Sequence, residues 1–285
     1  MRQKAYINLA YEPLGGAAIE WQIHYYSKGQ GPDVVLLHPS PLSGDFMSPI
    51  MDLLADDCRV IAWDTPGYGQ SDSLPYSNED LSGYVEALHQ FIVALDLKNP
   101  LIYGSATGAQ VGIEYAKTYP QGLCGLLLEN AAWFTDEERT QLLTEYFPTI
   151  TARDDGSHLS AVWQMVSQLY HYFPWFDTSD SARVNSAHIP AEIKQKTLMA
   201  YFTAGDKYDL AYRAAFMNEK PEKLRQVCVP THILRWESGL LKKYVDRLDD
   251  ANLPSNIVMQ FAGAGIENRF RQLKASVVEL LSNAE

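Results

Sequence analysis

One short stretch constrains the fold of this chain more than any other: Leu101-Ile-Tyr-Gly-Ser-Ala-Thr-Gly-Ala-Gln-Val-Gly112. The apolar run 101–103 reads as a buried strand and leads straight into Gly104-Ser-Ala-Thr-Gly108. From Ala109 onward Val111, Ile113 and Ala116 recur at near-helical spacing. A strand that gives way to a helix over so few residues brings two backbones into close approach. The two glycines supply the room and the conformational freedom for that turn. The residue midway between them is Ala106, and a methyl group cannot attack a carbonyl. Ser105 would take the central place only in a frame that puts Tyr103 and Thr107 at the crowded glycine positions. In the Ala106 frame Ser105 is a small turn residue.

Around this stretch strands and helices alternate. Residues 5–11 and 19–26 are β-rich runs separated by Pro13-Leu-Gly-Gly16, a hairpin signal. Residues 33–38 and 59–64 are apolar on both faces, as the central strands of a parallel sheet are. A helix follows Gly44 to about residue 55. A second spans 80–97, with Tyr84, Leu88, Phe91, Ile92 and Leu95 on one face. The next strand is 122–129. From Ala131 to about Phe216 the alternation stops, and the chain becomes aromatic-rich and helix-leaning. It resumes with a strand at 229–236, a helix at 240–248, a strand at 256–261 and a helix at 268–281. The pattern predicts an α/β fold, a mostly parallel sheet covered by helices on both faces. Its core is 1–130 and 217–285, with 131–216 inserted as a helical cap.

Three segments, in this order and spacing, resemble the α/β-hydrolase superfamily over nearly the whole chain. His38 after its apolar strand is similar to the family's H-G loop. Asp64-Thr-Pro-Gly-Tyr-Gly-Gln-Ser-Asp72 is similar to the family's D-x-P-G-x-G-x-S-D segment. Gly104-Ser-Ala-Thr-Gly108 is similar to the nucleophile elbow, G-x-S-x-G. The resemblance implies that the elbow centre points out of the top of the sheet, where a working hydrolase carries its nucleophile and this chain carries Ala106. It implies an oxyanion hole worth roughly 2.7–4 kcal/mol per donor. The donors are the N–H of Thr107 and one from the loop after His38, where Pro39 and Pro41 have no N–H and Ser40 does. It implies a general base in a G-x-G-H segment, which here reads Gly263-Ala-Gly-Ile266. It implies an acid after the strand near Thr231, where ungapped reading places Gly239, with Glu237 close by. Serine, histidine and aspartate work as a unit, so the resemblance implies a triad lost or altered.

Substitutes for the missing groups have bland readings. His38 holds its loop, His232 lies inside a strand, and His158, His171 and His188 fall in the cap segment. Glu129 and Asn130 end the strand after the elbow, where some relatives place an acid and others a loop anchor. Asp64 reads as a turn stabiliser.

Composition narrows the partners. The formal net charge of −12 argues against nucleic acids and anionic membranes, both of which need a basic face. No run of about 18 apolar residues exists, and the first residues lack a signal-peptide apolar region. Cys58, Cys124 and Cys228 are scattered, as reduced core thiols of a cytoplasmic protein are, and none is spaced for zinc. The expected partner is a small molecule, with no cofactor and no metal; the oligomeric state is open. Two classes of function remain. One is an enzyme guiding an elimination, isomerisation, decarboxylation or cyclisation through retained oxyanion donors. The other is a non-catalytic binder or receptor; a hydrolase carrying an engineered Ala106 is a further alternative. The site is expected to be a closed, apolar pocket over Ala106, floored by His38, Ser40, Ser105, Thr107 and Ile266 and roofed by Trp133, Trp163 and Trp175.

Overall fold

Burial on both faces drives the apolar runs into one eight-stranded sheet. The computed structural model describes residues 1–14, 16–76 and 78–283. The first half holds β1 (Gln3–Tyr11), β2 (Ile19–Lys28), β3 (Asp33–Leu37), α1 (Ser48–Leu54), β4 (Arg59–Trp63), α2 (Ser82–Ala94), β5 (Leu101–Ser105), α3 (Thr107–Thr118) and β6 (Gly125–Glu129). Then come α4 (Asp136–Glu145), α5 (Ser157–Leu169), α6 (Ala191–Ala204), α7 (Leu210–Asn218) and α8 (Pro221–Leu224). The chain closes with β7 (Thr231–Trp236), α9 (Lys242–Asp246), β8 (Ile257–Ala262) and α10 (Ile266–Ser282). The strand order is β1-β2-β4-β3-β5-β6-β7-β8. β1 and β2 pair antiparallel, as do β2 and β4, and every later pairing is parallel. This is the expected α/β architecture. The hairpin between β1 and β2 also forms, although Gly15 of its turn lies outside the described residues.

The central strands β3 to β6 are mainly apolar on both faces because alternate side chains enter different cores. Val35, Leu37, Ile61, Trp63 and Ile102 join Leu88 and Phe91 of α2 and Val111 and Ile113 of α3 on one face. Val34, Leu36, Val60, Leu101 and Tyr103 join Met51 and Leu54 of α1 and Leu273, Val277 and Leu280 of α10 on the other. Each such side chain contributes about 1.5–3 kcal/mol of burial.

The expected boundaries shift at several ends. α2 is shorter than 80–97, α9 gives way to a 3-10 turn at Arg247–Asp250, and α10 begins two residues early, so Ile266 is its first residue. Between β6 and β7 no further strand of the sheet occurs among the described residues. Part of this segment forms a small core of its own, with Ile150, Val162, Met165, Val166, Tyr201 and Tyr208.

Candidate functional site

β5 ends at Ser105 and α3 starts at Thr107, leaving Ala106 alone between them at φ 50° and ψ −112°. A non-glycine residue held there costs on the order of 1–3 kcal/mol, so the surrounding backbone must enforce it. It does so from both sides. The Ala106 N–H donates to the Glu129 carbonyl at 3.0 Å, and the Ala106 carbonyl accepts from the Gln110 N–H at 3.1 Å. A Cβ at Gly104 would lie 2.4 Å from the Gly108 carbonyl oxygen, and one at Gly108 would lie 2.2 Å from that of Leu37. Neither position admits a side chain, so the geometry sets the frame on Ala106. Ser105 is buried, and its hydroxyl accepts from Asn130 Nδ2 at 3.4 Å.

The close approach of Gly108 to Leu37 sets the start of α3 against the end of β3. The loop carrying Ser40 therefore leaves β3 beside Thr107. Both residues are buried, and among the described residues neither hydroxyl oxygen meets a hydrogen-bond partner within bonding geometry. Thr107 also heads α3, where the first N–H groups have no partner within the helix. Unpaired buried polar groups are costly, and these two stand on the loop and the helix that meet at the elbow. His38 is not free to join them. Its Nε2 accepts from the Thr65 N–H at 2.9 Å, and its Nδ1 donates to the Pro39 carbonyl at 3.0 Å. Burial lowers its pKa, which keeps the ring neutral. His38 thus holds its loop through both ring nitrogens. Asp64 is the turn stabiliser expected. It accepts from the Gly44 and Gln70 N–H groups and from His24 Nδ1. Burial pushes its pKa up, but His24, His38 and these N–H groups outweigh that and hold it below the usual value.

At the positions that the resemblance gives to base and acid stand Ile266 and Gly239. Ile266, the first residue of α10, is 49% exposed. Gly239 lies in the turn after β7, with its ideal Cβ position 3.8 Å from Asn130 Oδ1. It lines a crevice with no room for a water molecule. Glu237 is exposed and faces Lys242 at 3.7 Å. Glu129 is spent: Arg269 of α10 grips its carboxylate at 2.6 and 2.7 Å, and the Tyr103 hydroxyl donates to it as well. It is the loop anchor. His158 accepts from the Arg153 N–H, His171 bonds the Asn185 carbonyl, His188 is exposed, and His232 meets Gln260.

The aromatic residues between β6 and β7 mostly cover one another. The Tyr146 ring has Phe147, Phe173, Tyr212 and Phe216 within 5.8 Å, centre to centre. Trp175 packs there too and donates to the Tyr146 carbonyl, whereas Trp163 is 37% exposed. Trp133 is pinned through its backbone to Tyr244 and Arg247. Ala106 is itself partly exposed. It lines neither the crevice at Gly239 nor a cavity of about 440 Å³ between α2, α3 and α8, so the closed pocket over Ala106 is not what these cavities provide.

One buried group was missed by sequence reasoning. Glu219 follows α7, is almost wholly buried, and has an unpartnered Oε2. Burial pushes its carboxyl well above the usual range, against the pull of Arg139. Arg139 cannot pair fully, because it donates to the Phe134, Phe216 and Glu219 carbonyls. The preceding Asn218 donates to Gln110 on the elbow helix at 3.1 Å. In the sequence, Asn-Glu-Lys-Pro reads as an ordinary polar turn, so no local signal marks the site. No group of three or more His, Cys, Asp or Glu side chains that could hold a metal ion occurs among the described residues. No helix among them is long and apolar enough to cross a membrane.

Comparison with known proteins accords with this geometry. The pattern of the "Alpha/beta hydrolase family" matches residues 34–260. A haloalkane dehalogenase of Agrobacterium fabrum is 26% identical over 282 residues, covering 91% of this chain and 87% of that protein. A putative non-heme chloroperoxidase of Synechocystis is 35% identical over 98 residues, 34% of this chain and only 35% of that protein's length. A bromoperoxidase structure from Bacillus anthracis superposes with a TM-score of 0.70 at 18% identity, covering 97% of this chain and 100% of that one. At that identity the likeness speaks to the fold alone.

Proposed function

The chain belongs to the alpha/beta hydrolase family, and from that membership we propose an enzyme that acts on a small, partly apolar molecule without a covalent step at the elbow. One observation carries the reading: the strained elbow is kept, with Ala106 at its centre and the unpartnered hydroxyls of Ser40 and Thr107 beside it. A methyl group cannot form an acyl or alkyl intermediate. Hydroxyl and N–H donors can still bind an oxygen that gains negative charge, which favours elimination, isomerisation, decarboxylation or cyclisation. Positioning over the elbow supplies the rest. In this reading residues 131–216 act as the helical cap, and Trp133 is the cap residue that leads in from β6. The relatives that match carry names of dehalogenases, peroxidases and esterases. A reaction passing through a covalent bond to the elbow side chain would need a reactive group that Ala106 lacks.

The second reading, a binder, is favoured by the self-covering aromatic side chains around Tyr146, which leave little working space. The two are separated by turnover. The test incubates the protein with a fluorophosphonate probe and with panels of esters and haloalkanes. The expected result is no labelling and no turnover above background. Stoichiometric labelling mapped to Ser105 would overturn both readings. Saturable binding of a carbonyl-bearing ligand with no conversion would select the binder.

A further inference from the structure

We infer that the cleft between α2, α3 and α8 is a second small-molecule site, shaped for a small organic cation. At about 440 Å³ it falls within the range of ligand pockets. It lies apart from the elbow, and the inference does not depend on what the elbow does. The charges in its wall are unequal in kind. Glu114 is neutralised, with Lys117 at 2.7 Å and Lys223 at 3.4 Å, so the one lysine of the lining is already engaged. Among the described residues Glu86 receives only neutral donors, Tyr119 Oη and Gln90 Nε2, each at 2.9 Å. Asp80 accepts the Ser82 N–H at 2.8 Å. Two carboxylates therefore line the cleft with their hydrogen bonds met by neutral groups.

The aromatic wall is preorganised. Tyr119 is stacked on His89 with ring centres 3.9 Å apart and planes 4° from parallel, while its hydroxyl is fixed by Glu86. Tyr76 lines the same cleft. A carboxylate and an aromatic ring held together recognise an ammonium group twice, by Coulomb attraction and by the ring quadrupole. Leu81 and Val85 offer apolar surface to its methyl or methylene groups. The buried Asn218 lines the cleft too and is braced against Gln110, so the floor is rigid. An anion would be repelled by Asp80 and Glu86, and a neutral molecule could donate hydrogen bonds to them but would gain no Coulomb attraction between full charges.

Choline is a suitable probe, with 3,3-dimethylbutan-1-ol as its uncharged isostere, each titrated into the full chain by NMR or calorimetry. Choline is expected to bind saturably and the isostere at least about tenfold more weakly. Glu86→Gln and Tyr119→Leu should each weaken choline about tenfold. The exposed Glu145→Gln should leave it unchanged. The isostere comparison uses the unaltered protein, so it holds even if a variant folds poorly. Equal binding of the two probes, no saturable choline binding, or wild-type affinity in Glu86→Gln combined with Asp80→Asn would overturn the inference.

Discussion

At Ala106 the backbone sustains a strained turn while the side chain offers nothing reactive. Adding a hydroxyl there restores one member of a unit, not the unit. Ala106→Ser is therefore expected to hydrolyse activated esters no faster than background, because a serine hydroxyl is a poor nucleophile without a base. The comparison is the variant that also carries Ile266→His and Gly239→Asp; base assistance of this kind is worth about 10²–10⁴-fold. If the single variant alone reaches that range, a histidine sits closer to the elbow than the hydrogen bonds of His38 allow. Glu219 yields a second prediction. Its folded carboxyl has a raised pKa, so the folded state keeps a proton that the unfolded chain releases near pH 4.3. Its contribution is present below that pH and is lost as pH rises toward the folded value. Glu219→Gln should thus gain stability over wild type in denaturant melts as pH is raised, with the gap closing toward pH 4. A gap that stays flat with pH would show that Arg139 has kept the carboxylate charged. The Ala106 frame was readable from two glycines, since steric exclusion is local. Glu219 was not, because its burial is made by α4 and α7 together.

At the scale of elements, legibility followed burial. Strands β3 to β7 were readable because both faces are apolar and little else in a soluble chain looks like that. Helix ends were less so, since they depend on a few capping contacts. The start of α10 decided the role of Ile266, and it rests on Gly265 at φ 87°, a turn that the reading by analogy passed over. Besides the packing of Leu273, Val277 and Leu280, the ion pair of Arg269 with Glu129 ties the last helix to the end of β6. Glu129 is 2% exposed and Arg269 16% on their side chains, so neither charge has water to fall back on. Burial works against the Arg269 charge, but Glu129 and Tyr103 outweigh it and raise the guanidinium pKa. Removing one partner strands the other, at a cost of about 3–5 kcal/mol. Arg269→Met should lose that much in urea unfolding, and adding Glu129→Gln should recover part of it. Equal stability of Arg269→Met and wild type would mean that α10 is held by Leu273, Val277 and Leu280 alone.

For the molecule as a whole the governing quantity is charge. There are 35 acidic and 23 basic residues, a formal balance of −12. The partner expectation drawn from this, a small molecule in place of nucleic acid or anionic lipid, concerns the field far from any one residue. The ion pairs act the other way, but at short range. Most, such as Lys28 with Asp52 and Lys274 with Asp57, are exposed enough to contribute about 0–1 kcal/mol each. Salt separates the two effects, because the Debye length falls from about 30 Å at 0.01 M to about 10 Å at 0.1 M and 3 Å at 1 M. Long-range repulsion among like charges is screened first, while pairs at 2.5–2.7 Å are screened last. The melting temperature at neutral pH should therefore rise as sodium chloride is raised from 0.01 to 0.1 M, then level off. The buried pair of Arg269 and Glu129 should hardly respond, so Arg269→Met should show the same salt profile as wild type at a lower level. A melting temperature that falls over the first tenfold of salt would mean that the surface pairs outweigh the net charge.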